Sequence, residues 1–280
     1  MISANSKSEL KQVIAGYRTD GKKIGFVPTM GALHDGHLSL VELAKQNADI
    51  VVVSIFVNPT QFGEGEDFDK YPRTIEDDLK KLEAVGVDVV YLPTKEDMYP
   101  DGFSLKISTG EIGQQLEGVT RPHFFDGVAL VVTKLFMQVT PDVAVFGQKD
   151  FQQLHIIRKV VSDFDIPVEI LGGNIIREED GLAMSSRNRY LSEDERKIAV
   201  SLNKIMKDVI AKLRAENDFA EVLQWGQEEL LKCGFSKVDY LEIRDAESLS
   251  RTNLLPARLL AAVYLGGVRL IDNMAVEEVV

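Results

Sequence analysis

Phe26-Val-Pro-Thr-Met-Gly-Ala-Leu-His-Asp-Gly-His37 continues an apolar run that begins at Ile24 and leads into an amphipathic segment with Leu38, Val41, Ala44 and Ala48 near one face. The order is strand, glycine-containing turn, helix. A helix opening directly after a strand aims its first unsatisfied N–H groups at the space above the strand end, where donors and dipole together favour an anion. Gly31 and Gly36 let the backbone come close without a Cβ in the way. His34 and His37 stand three apart and point the same way if the first turn is already helical. Taken alone, the segment also reads as a common turn with histidines capping a helix. A metal site is disfavoured, because the spacing is not the four of HExxH and no Cys or His cluster completes a ligand set.

Outward from this segment the chain alternates. Residues 8–17 pattern as a helix on Leu10, Val13 and Ile14. Residues 50–57 form a continuous β-branched run, as a strand buried on both faces requires, and Asn58-Pro59 stops it. A helix over 74–85 and a strand over 87–92 follow, then a polar stretch with a short strand at 105–107. Val128, Val132, Leu135 and Val139 mark a helix ending before Pro141. A strand at 143–146, a turn at Gly147-Gln-Lys149, a helix opened by Asp150 and a strand at 168–171 complete the pattern. This α/β alternation predicts a doubly wound parallel sheet over residues 1–175. Beyond it, Ser192 and Glu195 make a capping box for one long helix on Ile198, Leu202, Ile205, Val209 and Leu213. A second helix at 218–232 and weak strands at 236–245, 258–265 and 268–272 predict a smaller α+β domain over 176–280.

A chain of 280 residues with 45% apolar and 27% charged residues fits a globular protein of one large or two medium domains. Its net charge of −12 argues against a nucleic-acid partner, which needs a basic face, but not against a small phosphorylated ligand. The amino terminus lacks the apolar core of a signal peptide, and the longest apolar stretches are too short or interrupted to span a membrane. The single cysteine, Cys233, excludes an internal disulfide and agrees with a reducing compartment, so the expectation is cytoplasmic.

Two nucleotide signatures fail on context. Gly16-Tyr-Arg-Thr-Asp-Gly21-Lys22-Lys23 has P-loop spacing but lacks the Ser or Thr for Mg²⁺ and precedes a strand instead of following one. No GxGxxG follows the first strand. What remains is a constellation at the carboxyl ends of strands and in the connecting loop: residues 29–37, 58–62, 147–153 and 184–187. Two histidines, Lys149, Arg187 and serine hydroxyls are the groups a triphosphate would need. Each has a plainer reading. Asp150 and Gln153 fit a helix cap, Lys149 and Arg187 fit solvated surface, and Asp77 and Asp78 suit a helix dipole. Cys233 lies late in an amphipathic helix with no histidine near it, and no Ser–His–Asp set stands out, so direct displacement is the chemistry implied.

Pro28-Thr-Met-Gly-Ala-Leu-His-Asp-Gly-His37, Phe56-Val-Asn-Pro-Thr-Gln-Phe62, Phe146-Gly-Gln-Lys-Asp-Phe-Gln-Gln153 and Asp180-Gly-Leu-Ala-Met-Ser-Ser-Arg-Asn188 resemble the pantoate–β-alanine ligase family, in that family's order and nearly end to end. The resemblance implies a Rossmann-like nucleotidyltransferase domain, a hinged carboxyl-terminal lid and a homodimer. It also implies ATP- and Mg²⁺-dependent condensation of (R)-pantoate with β-alanine through a pantoyl adenylate, with release of AMP and pyrophosphate. His34-Asp-Gly-His37 resembles the superfamily's HxGH motif, and Met184-Ser-Ser-Arg187 its KMSKS-like counterpart. Carried over by motif, ATP would meet Met30, Gly31, Ala32, Leu33, His34, Asp35, Gly36 and His37. It would also meet Gly147, Gln148, Lys149 and Asp150, the backbone of Ile176, and Met184, Ser185, Ser186 and Arg187. Pantoate would contact Gln61 and Gln153, with β-alanine also at Gln61. His37 matches the residue assigned as proton donor, His34, Lys149 and Arg187 join it in catalysis, and Asp77 and Asp78 match a proposed metal site.

One block departs from the family. The usual Arg-Pro-Gly-His-Phe-x-Gly is here Arg121-Pro-His-Phe-Phe-Asp-Gly127, so His123 stands for the glycine and Phe124 for the histidine. Two other functions share parts of the pattern. A nucleotidyltransferase acting on a phosphorylated acceptor would not need the neutral amides Gln61 and Gln153, and a non-catalytic ATP-binding module would not need the full cationic set.

Overall fold

The computed structural model describes residues 1–215 and 218–277. The chain divides into two compact units, Met1–Gln148 with Gln152–Asn174, and Lys149–Phe151 with Ile175–Val280. In the first unit, β1 (Ile2–Ala4), β2 (Ile24–Thr29), β3 (Ile50–Ile55), β4 (Val89–Tyr91), β5 (Val143–Gly147) and β6 (Glu169–Gly173) form one sheet in the order β1-β4-β3-β2-β5-β6. Every pairing in it is parallel. From β2 the chain moves outward through β3 to β4, then returns to lay β5 on β2's other side, so the order reverses between β2 and β5. Open α/β sheets bind ligands at the carboxyl ends of the strands flanking such a reversal.

Alternation along each strand builds the layers. Ile24 and Phe26 of β2 and Ile50 and Val52 of β3 join a core with the helices α1 (Lys7–Thr19), Phe124–Val139 and Phe151–Asp163. Val27, Val51, Val53 and Ile55 face the other way, onto α2 (Asp35–Asn47) and α3 (Ile75–Ala84). The uninterrupted β-branched run at 50–55 is therefore explained by burial on both sides.

The second unit has an antiparallel sheet, β7 (Lys237–Arg244), β8 (Ala257–Leu265) and β9 (Val268–Val276), with helices Ser201–Ala215 and Phe219–Lys232 sharing its core. Cys233 is exposed at the end of the latter helix.

Several elements differ from the expectation. Residues 105–107 are not a strand, and Leu105 is 77% exposed, so that short apolar run found no face to bury. β1 has three residues, paired through Ile2↔Val89, and is too short to carry a periodic signal. The long helix after Ser192 is split into Glu193–Ala199 and Ser201–Ala215, with the Ser201 hydroxyl donating to Ile198 O at 2.6 Å where the break occurs. Asp150 closes a 3₁₀ turn, Gln148–Asp150, and regular helix begins at Phe151.

Asp142 fastens the start of β2. Its Oδ2 accepts from Ile24 N at 2.6 Å and from Arg18 Nη1 at 2.7 Å. Burial pushes this carboxyl up, but the Ile24 N–H and the Arg18 guanidinium together hold it below the ordinary aspartate range. The folded chain thus releases this proton at lower pH than the unfolded one, so the stability it adds is present above the unfolded value and lost as pH falls through the folded one. Asp142→Asn should lower the urea midpoint at about pH 7, with the gap from wild type closing toward about pH 3. A second constraint lies where the helix Phe124–Val139 meets the turn Pro59–Gln61: a Cβ on Gly127 would stand 2.3 Å from Thr60 O. Gly127→Ala should cost about 1–3 kcal/mol in chemical denaturation, because a backbone oxygen must move to make room.

Candidate active site

β2 ends at Thr29, whose Oγ1 donates to Ser54 O at 2.8 Å and accepts from Gly31 N at 3.2 Å. The chain then turns sharply through Gly31 (φ +83°) and Ala32 (φ +52°). His34 is the N-cap of α2, in extended conformation, and the helix runs from Asp35. The His34 and His37 rings lie side by side, centroids 4.1 Å apart and tilted by 44°. His37 Nδ1 accepts from His34 N at 3.4 Å. With Nδ1 accepting, Nε2 is the ring nitrogen left to carry a proton. Gly36 and both histidines are half-buried, whereas Asp35 is exposed. Gly147 ends β5 and Gln148 follows it, and β5 pairs with β2 through Gly25↔Val143 and Phe26↔Ala144. Sheet order therefore brings the 30–37 turn and the end of β5 to the same reversal point.

Gln61 lies in the 3₁₀ turn after β3 and is buried. Its Oε1 accepts from Asn58 Nδ2 at 3.1 Å, and its Nε2 faces Met30 Sδ at 3.1 Å. A thioether is a weak acceptor, so this N–H can be drawn to a better one. Asn58 is held in turn: Nδ2 also donates to Gly127 O at 3.1 Å, and Oδ1 accepts from Tyr99 OH at 2.7 Å. Burial pushes the Tyr99 phenol up, against a smaller downward pull from Thr60, so the hydroxyl keeps its proton and remains the donor. Tyr99 is a site-supporting residue that sequence reasoning missed, and Asn58, inside the expected 58–62 segment, had no role assigned to it. Asn58-Pro59 reads as a strand stop, and Tyr99 sits in a turn-rich stretch without period.

The departing block has a clear geometry. Arg121 Nε donates to Glu66 Oε1 at 2.8 Å, Nη1 to Glu117 Oε1 at 3.2 Å and Nη2 to Gln61 O at 3.3 Å. The Phe124 ring stacks on its guanidinium, 3.8 Å from Cζ to the centroid. Arg121 is thus a structural clamp on the Gln61 turn, and Phe124 gives it a cation–π face. Of the two adjacent glutamines in the next helix, Gln152 is buried and structural, donating to Ile112 O and Gln115 O at 2.8 Å, while Gln153 is half-buried.

Residues 149–151 and 175 onward belong to the second unit. There Lys149 Nζ lies 3.9 Å from Asp150 Oδ1, and its carbonyl accepts from Asn273 Nδ2 at 2.9 Å. Met184 N donates to Ile176 O at 3.0 Å, which uses the carbonyl of Ile176 within the loop. Ser185 caps a 3₁₀ turn, Ser186–Tyr190, through Arg187 N at 3.3 Å, and Ser186 is buried. Arg177 pairs with buried Asp272 through both guanidinium nitrogens, at 2.7 and 2.9 Å.

The residues expected to hold Mg²⁺ do not fit it. Asp78 has no exposed surface and accepts from Ala32 N and Leu33 N, each at 2.8 Å, while Asp77 is 69% exposed and lies 3.5 Å from Lys80 Nζ. Consecutive helical residues point roughly 100° apart, so the two carboxylates do not converge. Among the described residues, no group of three or more His, Cys, Asp or Glu is placed to hold a metal ion.

A family model for pantoate–β-alanine ligase matches residues 3–275. Pantothenate synthetase of Rhodospirillum rubrum is 49% identical over 276 residues, covering 98% of both chains, and that of Azotobacter vinelandii is 49% identical over 282 residues, covering 99% of both. The crystal structure of pantothenate synthetase from Thermus thermophilus superposes with a TM-score of 0.93 at 42% identity, covering 99% of this chain and 100% of the other. A Francisella tularensis pantoate–β-alanine ligase, solved with β-γ ATP and β-alanine, superposes with a TM-score of 0.85 at 37% identity, covering 98% and 97%. With its parallel sheet, its paired imidazoles after β2 and agreement along nearly its whole length, the chain belongs to the pantoate–β-alanine ligase family.

Proposed function

We propose that this chain joins (R)-pantoate to β-alanine at the expense of ATP, releasing AMP and pyrophosphate. The observation that carries this reading is the His34–His37 pair at the start of α2, at the sheet's reversal point, in a chain of this family. A carboxylate and an amine merely form a salt at neutral pH, so the acid must first be activated. The pantoate carboxylate attacks the α-phosphorus of ATP and pyrophosphate leaves, giving pantoyl adenylate. The free amine of β-alanine then attacks the acyl carbon and expels AMP.

The neutral amides Gln61 and Gln153 suit the binding of pantoate, since an arginine paired with the attacking carboxylate would draw off its charge. Gln61 also meets β-alanine in this reading. His34 and His37, with Lys149 and Arg187, stabilise charge as the phosphorus becomes five-coordinate. Residues 30–37, 147–150 and 184–187, with the backbone of Ile176, form the ATP set. Mg²⁺ is expected on the phosphate oxygens of the nucleotide, and no step is assigned to it. The chain acts as a cytoplasmic homodimer in this reading: the family resemblance supports the dimer, and the lone cysteine agrees with a reducing compartment. No helix among the described residues is long and apolar enough to cross a membrane.

His37→Ala should lower kcat about 10²–10³-fold, the usual loss for one charge-stabilising donor, with smaller changes in substrate KM. Near-normal turnover would overturn the assignment. With pantoate and ATP present, steady AMP formation should require β-alanine. An adenylylated product that accumulates with no use for the amine would identify a nucleotidyltransferase, and ATP binding without pyrophosphate a non-catalytic module.

A further inference from the structure

Asp78 is a carboxylate with no exposed surface, and a buried charge is costly unless hydrogen bonds compensate it. Its partners come mostly from one backbone turn. Oδ2 accepts from Ala32 N at 2.8 Å and Thr74 Oγ1 at 3.2 Å, and Oδ1 accepts from Leu33 N at 2.8 Å. From the next turn of α3, Lys81 Nζ donates to Leu33 O at 2.6 Å. Two successive N–H groups converging on one anion form a nest, a motif that binds external phosphates elsewhere. Here the anion is internal. Ala32 sits at φ +52°, a region that L side chains avoid, and Ala32 and Leu33 have no exposed surface.

We propose that Asp78 is a positioning residue, an internal anion that holds the 31–33 turn in its left-handed path so that His34 and His37 open α2 in the working orientation, and that it is not a Mg²⁺ ligand. Mg²⁺ demands near-octahedral oxygen geometry and keeps several waters, whereas both oxygens of Asp78 are already accepting and water has no access to them. It follows that Ala32 and Leu33 give the nucleotide site its shape and not its donors, because their N–H groups are already given to Asp78. The phosphate contacts of this segment then fall to residues 34–37. This inference rests on reading the imidazole pair as the phosphate site.

Asp78→Asn keeps the size but turns an N–H₂ toward a backbone N–H, and Glu76→Gln, at an exposed position of the same helix turn, is the control. Amide exchange in the peptide covering residues 27–40 should accelerate in Asp78→Asn alone. Its kcat should fall about 10²-fold, as for a misplaced reacting group. The half-activating Mg²⁺ concentration should stay within about twofold of wild type, where loss of a metal ligand or its support costs about 10–100-fold in metal affinity. Unchanged exchange, or a tenfold or greater rise in required Mg²⁺ with kcat restored at saturation (the lower end of the 10–100-fold range), would overturn the proposal. If Asp78→Asn does not fold, wild type decides: Mg²⁺ alone should leave the Ala32 and Leu33 amide signals in place, and a saturable shift would refute it. Wild-type chain that makes no AMP from ATP, pantoate and β-alanine would sink the functional reading, while exchange and the amide signals still judge Asp78.

Discussion

The pairing of β2 on both sides, with β3 through six residues and with β5 through two, is the constraint on which the nucleotide half of the molecule depends. It makes β2 central, so its end cannot drift. It sets the reversal of strand order beside that end, and so fixes where α2 begins. Gly25 shows how closely the helix follows: a Cβ there would stand 3.0 Å from Ala48 Cβ. Moving the start of α2 would mean repacking the face of the sheet that it covers.

Around that fixed point the support is polar and comes from distant parts of the chain. Asn58 reaches Gln61 and Gly127, Tyr99 reaches Asn58, and Arg121 reaches the Gln61 carbonyl while paired with Glu66 and Glu117. Removing a partner from such a network leaves the others buried and unsatisfied, which costs more than the bond itself contributes.

Strands β2, β3 and β5 and the helices that cover them were legible in the sequence, because burial on both faces demands apolar runs and helical period that a reader can see. The His34–His37 pair was legible because its spacing matches one helical turn. What could not be read was set by tertiary partners. β1 exists through its pairing with β4, and the 105–107 run lacks such a partner. Asn58 and Tyr99 look like loop residues until the turn at 59–61 and the helix at 124 come together. Asp78 beside Asp77 suggested a metal pair, and only three dimensions show that the carboxylate faces the protein's own backbone. Residues 149–151 leave no local signal either: they group with the second unit, where Asn273 Nδ2 donates to Lys149 O and the Arg258 guanidinium lies over the Phe151 ring.

Phe124 carries a consequence of its own. A benzene ring has no proton to gain or lose, so the face pressed on Arg121 is the same in weak acid as in weak base. An imidazole at that position would become a cation below neutrality and repel the guanidinium it touches. With a phenyl ring there, the grip on the Gln61 turn does not change with acidification at that contact.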